Sequence, residues 1–277
     1  MNRQLGLFSF ITIAASLATL FPGQLNAAST SEARVTFVKK HVQLEQLENA
    51  ARRASVNDVV REETVVRTGN ESRGELTFSD ETVVRLAART AFDFNHGTRG
   101  LNLKQGAVLV QAPKGARGAT IHAGNVAVAV AGTTVMVEYH PGAYKILVLE
   151  GTGRLYRPGH LGDSILVVPG QMVIGSPDAA VSEPVDVDID RFMKTSRFIT
   201  EFPPLRSEKS VLAENQKQQR EKSNKTLVDT NLVIFGGGTQ VSVIGQEQPS
   251  PTRRTTAALA MPRRVPSLSP NAAPALP

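Results

Sequence analysis

From Ala33 to about Gly175, a run of about 145 residues consists of short valine-rich segments separated by Gly- or Asp-containing turns. No segment in this stretch has the length or 3.6-residue apolar period of a long helix, so the pattern commits the chain to short strands. The clearest piece is GNVAVAVAGTTVMVEY, residues 124–139. Val126, Val128 and Val130 lie at even positions, whereas Val135 and Val137 lie at odd ones. A two-residue period changes phase only through an inserted residue or a corner. Gly132 stands between the two sets, which predicts a kinked strand or two strands meeting there.

The same reading extends along the run. Residues 33–47 read as a hairpin, with Ala33, Val35 and Phe37 on one face, a polar turn at Lys39-Lys40, and Val42 and Leu44 returning. Residues 48–57 fit a loop or a short helix. Val59 to Leu86 reads as three strands, with Leu76 and Phe78 on one face and Glu75, Thr77 and Ser79 on the other. Residues 101–111 and 119–139 continue the series. Tyr144–Leu149 is apolar on both faces, as a fully buried strand would be, and Ile165–Val168 and Gln171–Ile174 flank a Pro169-Gly170 turn.

The ends have a different texture. Arg3, the apolar stretch Leu5–Leu20, the break at Pro22-Gly23 and the small residues up to Ala27 have the layout of a leader peptide, residues 1–27. Only four residues precede the apolar stretch, so no cytoplasmic segment is expected before it. The protein is expected to be exported, periplasmic or at the cell surface, and not membrane-spanning once processed, because no later segment reaches about 18 apolar residues. The chain has no cysteine, which removes disulfides, thiolate metal sites and thioether lipid attachment and leaves a hydrophobic core to hold the fold. Net charge is +6, but the leader holds one Arg and the last 28 residues four, with no acid in either, so the remainder carries only +1. A nearly neutral fold offers no basic field for nucleic acid.

After Gly175, Glu183–Asp190 alternates acid and apolar residues, and Asp190 is placed to cap a helix starting at Arg191. Residues 207–224 favour helix yet are almost wholly polar after Leu212, which suits a solvent-exposed helix or a contact surface. Residues 232–244 read as a hairpin turning at Gly236–Gly238. From Gln248 onward, seven of the 16 prolines crowd among Ser, Thr, Ala and Arg, a composition expected to stay disordered.

The order of motifs resembles the FecR domain, a bacterial extracytoplasmic all-β module. Asp58 precedes Val65-Val66-Arg67-Thr68-Gly69, followed by Ser72-Arg73-Gly74-Glu75-Leu76-Thr77-Phe78 and Asp80-Glu81-Thr82-Val83-Val84-Arg85-Leu86. Leu101-Asn102-Leu103, Gly106-Ala107-Val108, Val128-Ala129-Val130-Ala131-Gly132-Thr133, Val148-Leu149-Glu150-Gly151 and Pro169-Gly170-Gln171 complete the series. The resemblance implies a β-solenoid-like stack of short strands. It also implies structural turn roles for Thr68, Gly74, Asp80, Gly106, Gly132, Thr133, Glu150, Gly151, Gly170 and Gln171. The family usually places Asp-Gly-Ser/Thr where this chain has Asp80-Glu81-Thr82, so a wider turn is expected there. Regulators of this family join a cytoplasmic anti-sigma segment, a membrane helix, the periplasmic domain and a receptor-docking domain. Residues 176–277 lack the strand–helix alternation of a docking domain.

Chemistry-bearing motifs are sparse. His41, His96, His122, His140 and His160 are scattered without metal-ligand spacing. Asp186, Asp188 and Asp190 share one face of a strand but lack the Gly and downstream Glu of a Ca²⁺ loop. No G-x-S-x-G, Walker A or G-x-G-x-x-G sequence occurs. No catalytic residue, cofactor or metal is expected.

Taken together, the sequence points to an all-β, solenoid-like stack over 33–175. A strand–helix–hairpin extension over 176–246 and a disordered Pro/Arg tail over 247–277 follow. The expected function is a non-enzymatic envelope interaction module, a scaffold or sensing partner of an unidentified protein. The alternatives are a divergent component of an iron- or TonB-receptor-type signal relay, and an enzyme with an unrecognised site.

Overall fold

The computed structural model describes residues 32–46, 49–95, 99–116, 118–221, 227–228 and 243–244. The leader, the tail and most of the 232–244 hairpin lie outside the described residues. So do His96 and residues 222–224 of the polar segment.

In chain order the strands are β1 (Glu32–Lys39), β2 (Val42–Gln46), β3 (Asn49–Arg53), β4 (Val59–Arg61), β5 (Val65–Thr68) and β6 (Arg73–Phe78). Then come β7 (Val83–Leu86), β8 (Ala91–Asn95), β9 (Gly100–Gln111), β10 (Ala119–Ala123), β11 (Val126–Val130) and β12 (Thr134–His140). They are followed by β13 (Ala143–Glu150), β14 (Gly153–Tyr156), β15 (Ser164–Val167), β16 (Gln171–Gly175) and β17 (Val185–Asp186). Three helices follow, α1 (Ile189–Thr195), α2 (Arg197–Thr200) and α3 (Glu208–Glu221), then β18 (Leu227–Val228) and β19 (Val243–Ile244).

The first 17 strands form one continuous sheet that bends into two layers. Layer A runs β4-β1-β6-β7-β9-β12-β13-β16-β17. Layer B runs β3-β2-β5-β8-β9-β10-β11-β14-β15. The long β9 belongs to both: its first half pairs with β8 and β10, and its second half, from Gly106, pairs with β7 and β12. Gly106 makes the bend possible. Its φ is +91°, and a Cβ there would stand 2.6 Å from the Cα of Thr90, so any L side chain is excluded by sterics as well as by φ.

The all-β class holds, but the β-solenoid reading does not. A solenoid stacks parallel coils, whereas here every described pairing between neighbouring strands is antiparallel except β9 with β10. The chain crosses between layers through tight arcs, and consecutive arcs bond to one another. Gly69 N–H donates to His41 O and Arg89 N–H to Gly69 O on one edge, and Ala112 N–H donates to Thr133 O on the other.

One apolar core fills the space between the layers, with Val35, Leu76, Val84, Val135 and Val148 from layer A meeting Val66, Phe92, Leu103, Ile121 and Val128 from layer B. Phe78 and Phe94 cross the gap edge-to-face, with centroids 4.9 Å apart. This explains the phase change at Gly132: β11 and β12 lie in opposite layers, and both valine sets face the same core. A second core lies on the outer face of layer A. Leu109, Met136, Leu147, Leu149 and Met172 of the sheet pack there against Val187, Ile189, Phe192, Phe198, Phe202, Leu205 and Val211. From Ile146 to Leu149, β13 is apolar on both faces because it separates two cores.

Several local expectations change. β1 and β2 are not a hairpin: β1 pairs with β4 and β6, and β2 with β3 and β5. A register shift between Val35 and Phe37 turns Phe37 away from the inter-layer core and toward the helices, where it packs 5.1 Å from Phe202. Residues 49–53 are a strand, and Val59–Leu86 holds four strands. The turn after β6 is wide, with Glu81 at φ +66°. α1 begins earlier than expected. Asp188 is its cap and accepts from Arg191 N–H, because Ile189, not Arg191, is the first residue buried beneath it.

The polar helix is not free-standing. Within α3, Val211 is fully buried, and Gln218 accepts from Ile189 N–H at 3.1 Å and donates to Val187 O at 2.6 Å. Of the expected hairpin only Val243–Ile244 is described, and it pairs with Leu227–Val228, upstream of the segment read as its partner.

Candidate functional site

Between layer A and the helices the sheet is unexpectedly polar. Strand alternation sends Glu75, Arg85, Glu138 and Lys145 to this outer face, while Leu76, Val84, Val137 and Ile146 face the inner core. Charged groups under a helical cover must be paired, and these are. Arg85 Nε donates to Glu75 at 2.8 Å, and its other nitrogens donate to Phe198 O at 2.7 Å and Pro203 O at 2.5 Å. Its guanidinium stands 5.0 Å from the Phe202 ring centroid. Burial pulls the Arg85 pKa below its usual value and the bond it donates to Glu75 opposes that pull, but a guanidinium stays protonated in a protein.

Next to this knot the cover lifts from the sheet. A cleft of about 640 Å³ opens where the floor is Ala87, Gly106 and Ala107 and the roof is Phe192, Ser196 and Phe198. Two residues further along β9, Leu109 fills the gap and the helices sit down on it. Met136 forms one apolar wall.

Charged groups line the rest. Glu138 and Lys145, cross-strand partners on β12 and β13, pair at 2.5 Å with side chains 8% and 4% exposed. His140 lies 3.3 Å from Glu138. Arg73, with its side chain 4% exposed, lies 2.9 Å from Glu201. Burial lowers the Arg73 pKa, Glu201 raises it, and Arg197 lowers it again. At the mouth, Arg89 Nε donates to Asn70 Oδ1 at 2.6 Å, and Glu71 pairs with Lys40.

Of the residues given turn roles in the sequence, Gly106 lines this cleft, and His140, one of the scattered histidines, lines it as well. Thr68 ends β5; its hydroxyl donates to Ala87 O at 2.5 Å and accepts from Thr90 N–H at 2.9 Å, joining two arcs. Gly74 lies inside β6 and not at a turn; a Cβ there would be 3.6 Å from Val42 Cγ1, ordinary contact distance. Asp80 accepts from Thr82 N–H at 3.0 Å and pairs with Arg99 at 2.9 Å. Gly132 (φ +61°) and Gly151 (φ +76°) sit in neighbouring arcs, where a Cβ on Gly151 would lie 2.4 Å from Gly132 O. Thr133 donates to Thr152 O at 2.9 Å, and Glu150, ending β13, accepts from Thr134 at 3.1 Å. Gly170 has φ +78°, and the side chain of Gln171 accepts from Val168 N–H at 3.3 Å.

Asp186, Asp188 and Asp190 do not converge. Asp188 caps α1 and Asp190 pairs with Lys194 at 2.7 Å. No group of three or more His, Asp or Glu among the described residues is placed to hold a metal ion. Glu138 and Lys145 escaped the sequence reading. The signal was there: single charges inside two strands that are otherwise apolar, VMVEYH and YKILVL.

Comparison with known proteins bears on the sandwich. Residues 64–152 match the family model described as FecR protein. No curated protein matches the chain. Two crystal structures, at 1.65 and 2.50 Å, of a "putative anti-sigma factor" from Parabacteroides distasonis ATCC 8503 are similar to it. The first is 12% identical with a TM-score of 0.39, over 66% of this chain and 100% of that one. The second is 11% identical with a TM-score of 0.38, over 65% and 97%. No helix among the described residues is long and apolar enough to cross a membrane. The match to the FecR protein family model thus runs from the residue before β5 to the arc after β13, residues 64–152.

Proposed function

We propose that this chain is an exported, non-enzymatic interaction module of the bacterial envelope, a scaffold or sensing partner in signalling that works through protein contacts. The FecR domain supports the signalling context, and the leader-like residues 1–27 support export. In this reading 33–175 is the β domain, 176–246 its extension and 247–277 a tail.

The observation that carries the interaction role is the asymmetry of the sandwich. The outer face of layer A is covered by the chain's own helices. Layer B has no such cover among the described residues, and it ends in β15, which among those residues pairs only with β14. Leu161, Leu166 and Val168 beside that edge are 106%, 48% and 37% exposed. An unpaired edge flanked by exposed aliphatic side chains is the geometry that accepts an added strand.

The test is site-specific photo-cross-linking in intact cells, with the reactive amino acid at Leu166 and, for comparison, at Leu212 on α3. An envelope protein captured reproducibly at Leu166 and not at Leu212 supports the reading. Recovery of self-linked chains alone overturns it.

A further inference from the structure

The cleft beneath α1 and α2 has no part in strand addition at β15, and its chemistry indicates a ligand of its own. We propose that it binds small amphipathic anions, a carboxylate carried on a linear apolar body.

Size comes first. At about 640 Å³ the cleft falls within the range of small-molecule sites. It exists because Ala87, Gly106 and Ala107 leave the sheet surface low while Phe192 and Phe198 hold the roof up. The wall between them is apolar, as Met136 adds a flexible thioether side chain. That surface takes up a hydrocarbon body.

Charge then selects the head group. Four cationic side chains line the cleft (Arg73, Arg89, Lys145 and Arg197) against two lining carboxylates, Glu71 and Glu138, and Glu201 pairs with Arg73 at 2.9 Å. Both carboxylates are engaged, Glu138 by Lys145 and Glu71 by Lys40, so neither attracts a ligand cation strongly. Arg89 bonds a neutral partner, Asn70. Arg197 is exposed at the mouth and near enough to Arg73 for the two like charges to repel. With Arg73 held by Glu201, the exposed guanidiniums of Arg89 and Arg197 are the N–H donors open to a ligand carboxylate. An ammonium head at the same place is repelled by both. The buried Glu138–Lys145 pair closes one end of the wall without leaving an unpaired charge.

The experiment is calorimetric titration of the full chain with sodium decanoate, decyltrimethylammonium bromide and sodium acetate, with two-dimensional NMR to locate the shifts. Decanoate is expected to bind saturably at one site, shifting Ala87, Ala107 and Met136. The ammonium amphiphile and acetate are each expected to bind at least about tenfold more weakly. Ala107→Leu fills the floor, and Arg197→Glu reverses the mouth at an exposed position. Each is expected to weaken decanoate by about tenfold or more. Should Ala107→Leu fail to fold, Arg197→Glu still decides the matter. Absence of saturable decanoate binding, equal affinity for the two amphiphiles, or binding that Arg197→Glu leaves unchanged would each overturn the proposal.

Discussion

Arg85 is the point where layer A grips the helices that follow it, and its removal has a calculable cost. Replacing it with methionine keeps most of the aliphatic stem but leaves Glu75 buried without its cation and the carbonyls of Phe198 and Pro203 without their donor. The side chains of Arg85 and Glu75 are only 3% and 11% exposed, so water cannot replace the lost partner. Removing one member of such a buried pair costs about 3–5 kcal/mol. For a domain of this size each kcal/mol shifts Tm by about 2–4 °C, so Arg85→Met should melt about 6–20 °C lower. The double variant Glu75→Leu/Arg85→Met removes the stranded charge and keeps only the two carbonyls unsatisfied. It should recover at least about 1.5 kcal/mol over the single variant, since a well-packed apolar pair often equals a buried ion pair. Urea unfolding of the full chain, followed by far-UV circular dichroism, supplies both numbers. A loss below about 1 kcal/mol for Arg85→Met, or a double variant no better than the single, would refute the idea that this knot joins sheet to helices.

Other positions give sharper local tests. Gly106→Ala should cost more than about 2 kcal/mol, because it adds a clash with Thr90 to a positive φ, whereas Gly142→Ala, at φ +88° with open space around it, should cost about 1; paired urea curves decide. Val211→Ala should destabilise by about 2 kcal/mol through lost burial, and cutting the chain after Ser207 should cost more, which a free-standing polar α3 would not show. Burial holds the His122 pKa below its usual 6.5. The unfolded chain therefore takes up this proton first, and stability should fall as pH drops through about 6.5 toward the lower folded value. His122→Ala should flatten that slope, as read from melting temperature against pH.

How much of this was legible in the chain depends on where each signal lived. Short strands, their turns and the corner at Gly132 follow from valine spacing, because side-chain alternation is a property of one strand alone. β13 announced itself as apolar on both faces, yet the sequence could not say that a second core caused it. Pairing partners are nonlocal, so β1 and β2 passed for a hairpin when an arc carries them into different layers. Phe37 was misplaced because one bulge inverts a face. α3 reads as solvated because a single buried Val and the amides of Asn215 and Gln218 dock it, too little to raise an amphipathic pattern. The cleft was illegible for the same reason: Ala87, Ala107, Glu138 and Phe198 are far apart in sequence and meet only after folding.

The account rests on one face of the sandwich being closed by its own helices while the far edge of layer B stays open to a partner. Hydrogen–deuterium exchange resolved to single amides measures that directly. Ile146 and Leu147 in β13 should exchange only on global unfolding, while alternate amides along Ser164–Val167 in β15 should exchange at rates close to an unstructured chain. Uniform protection across β15, matching that of β13, would show its edge already occupied and contradict the account.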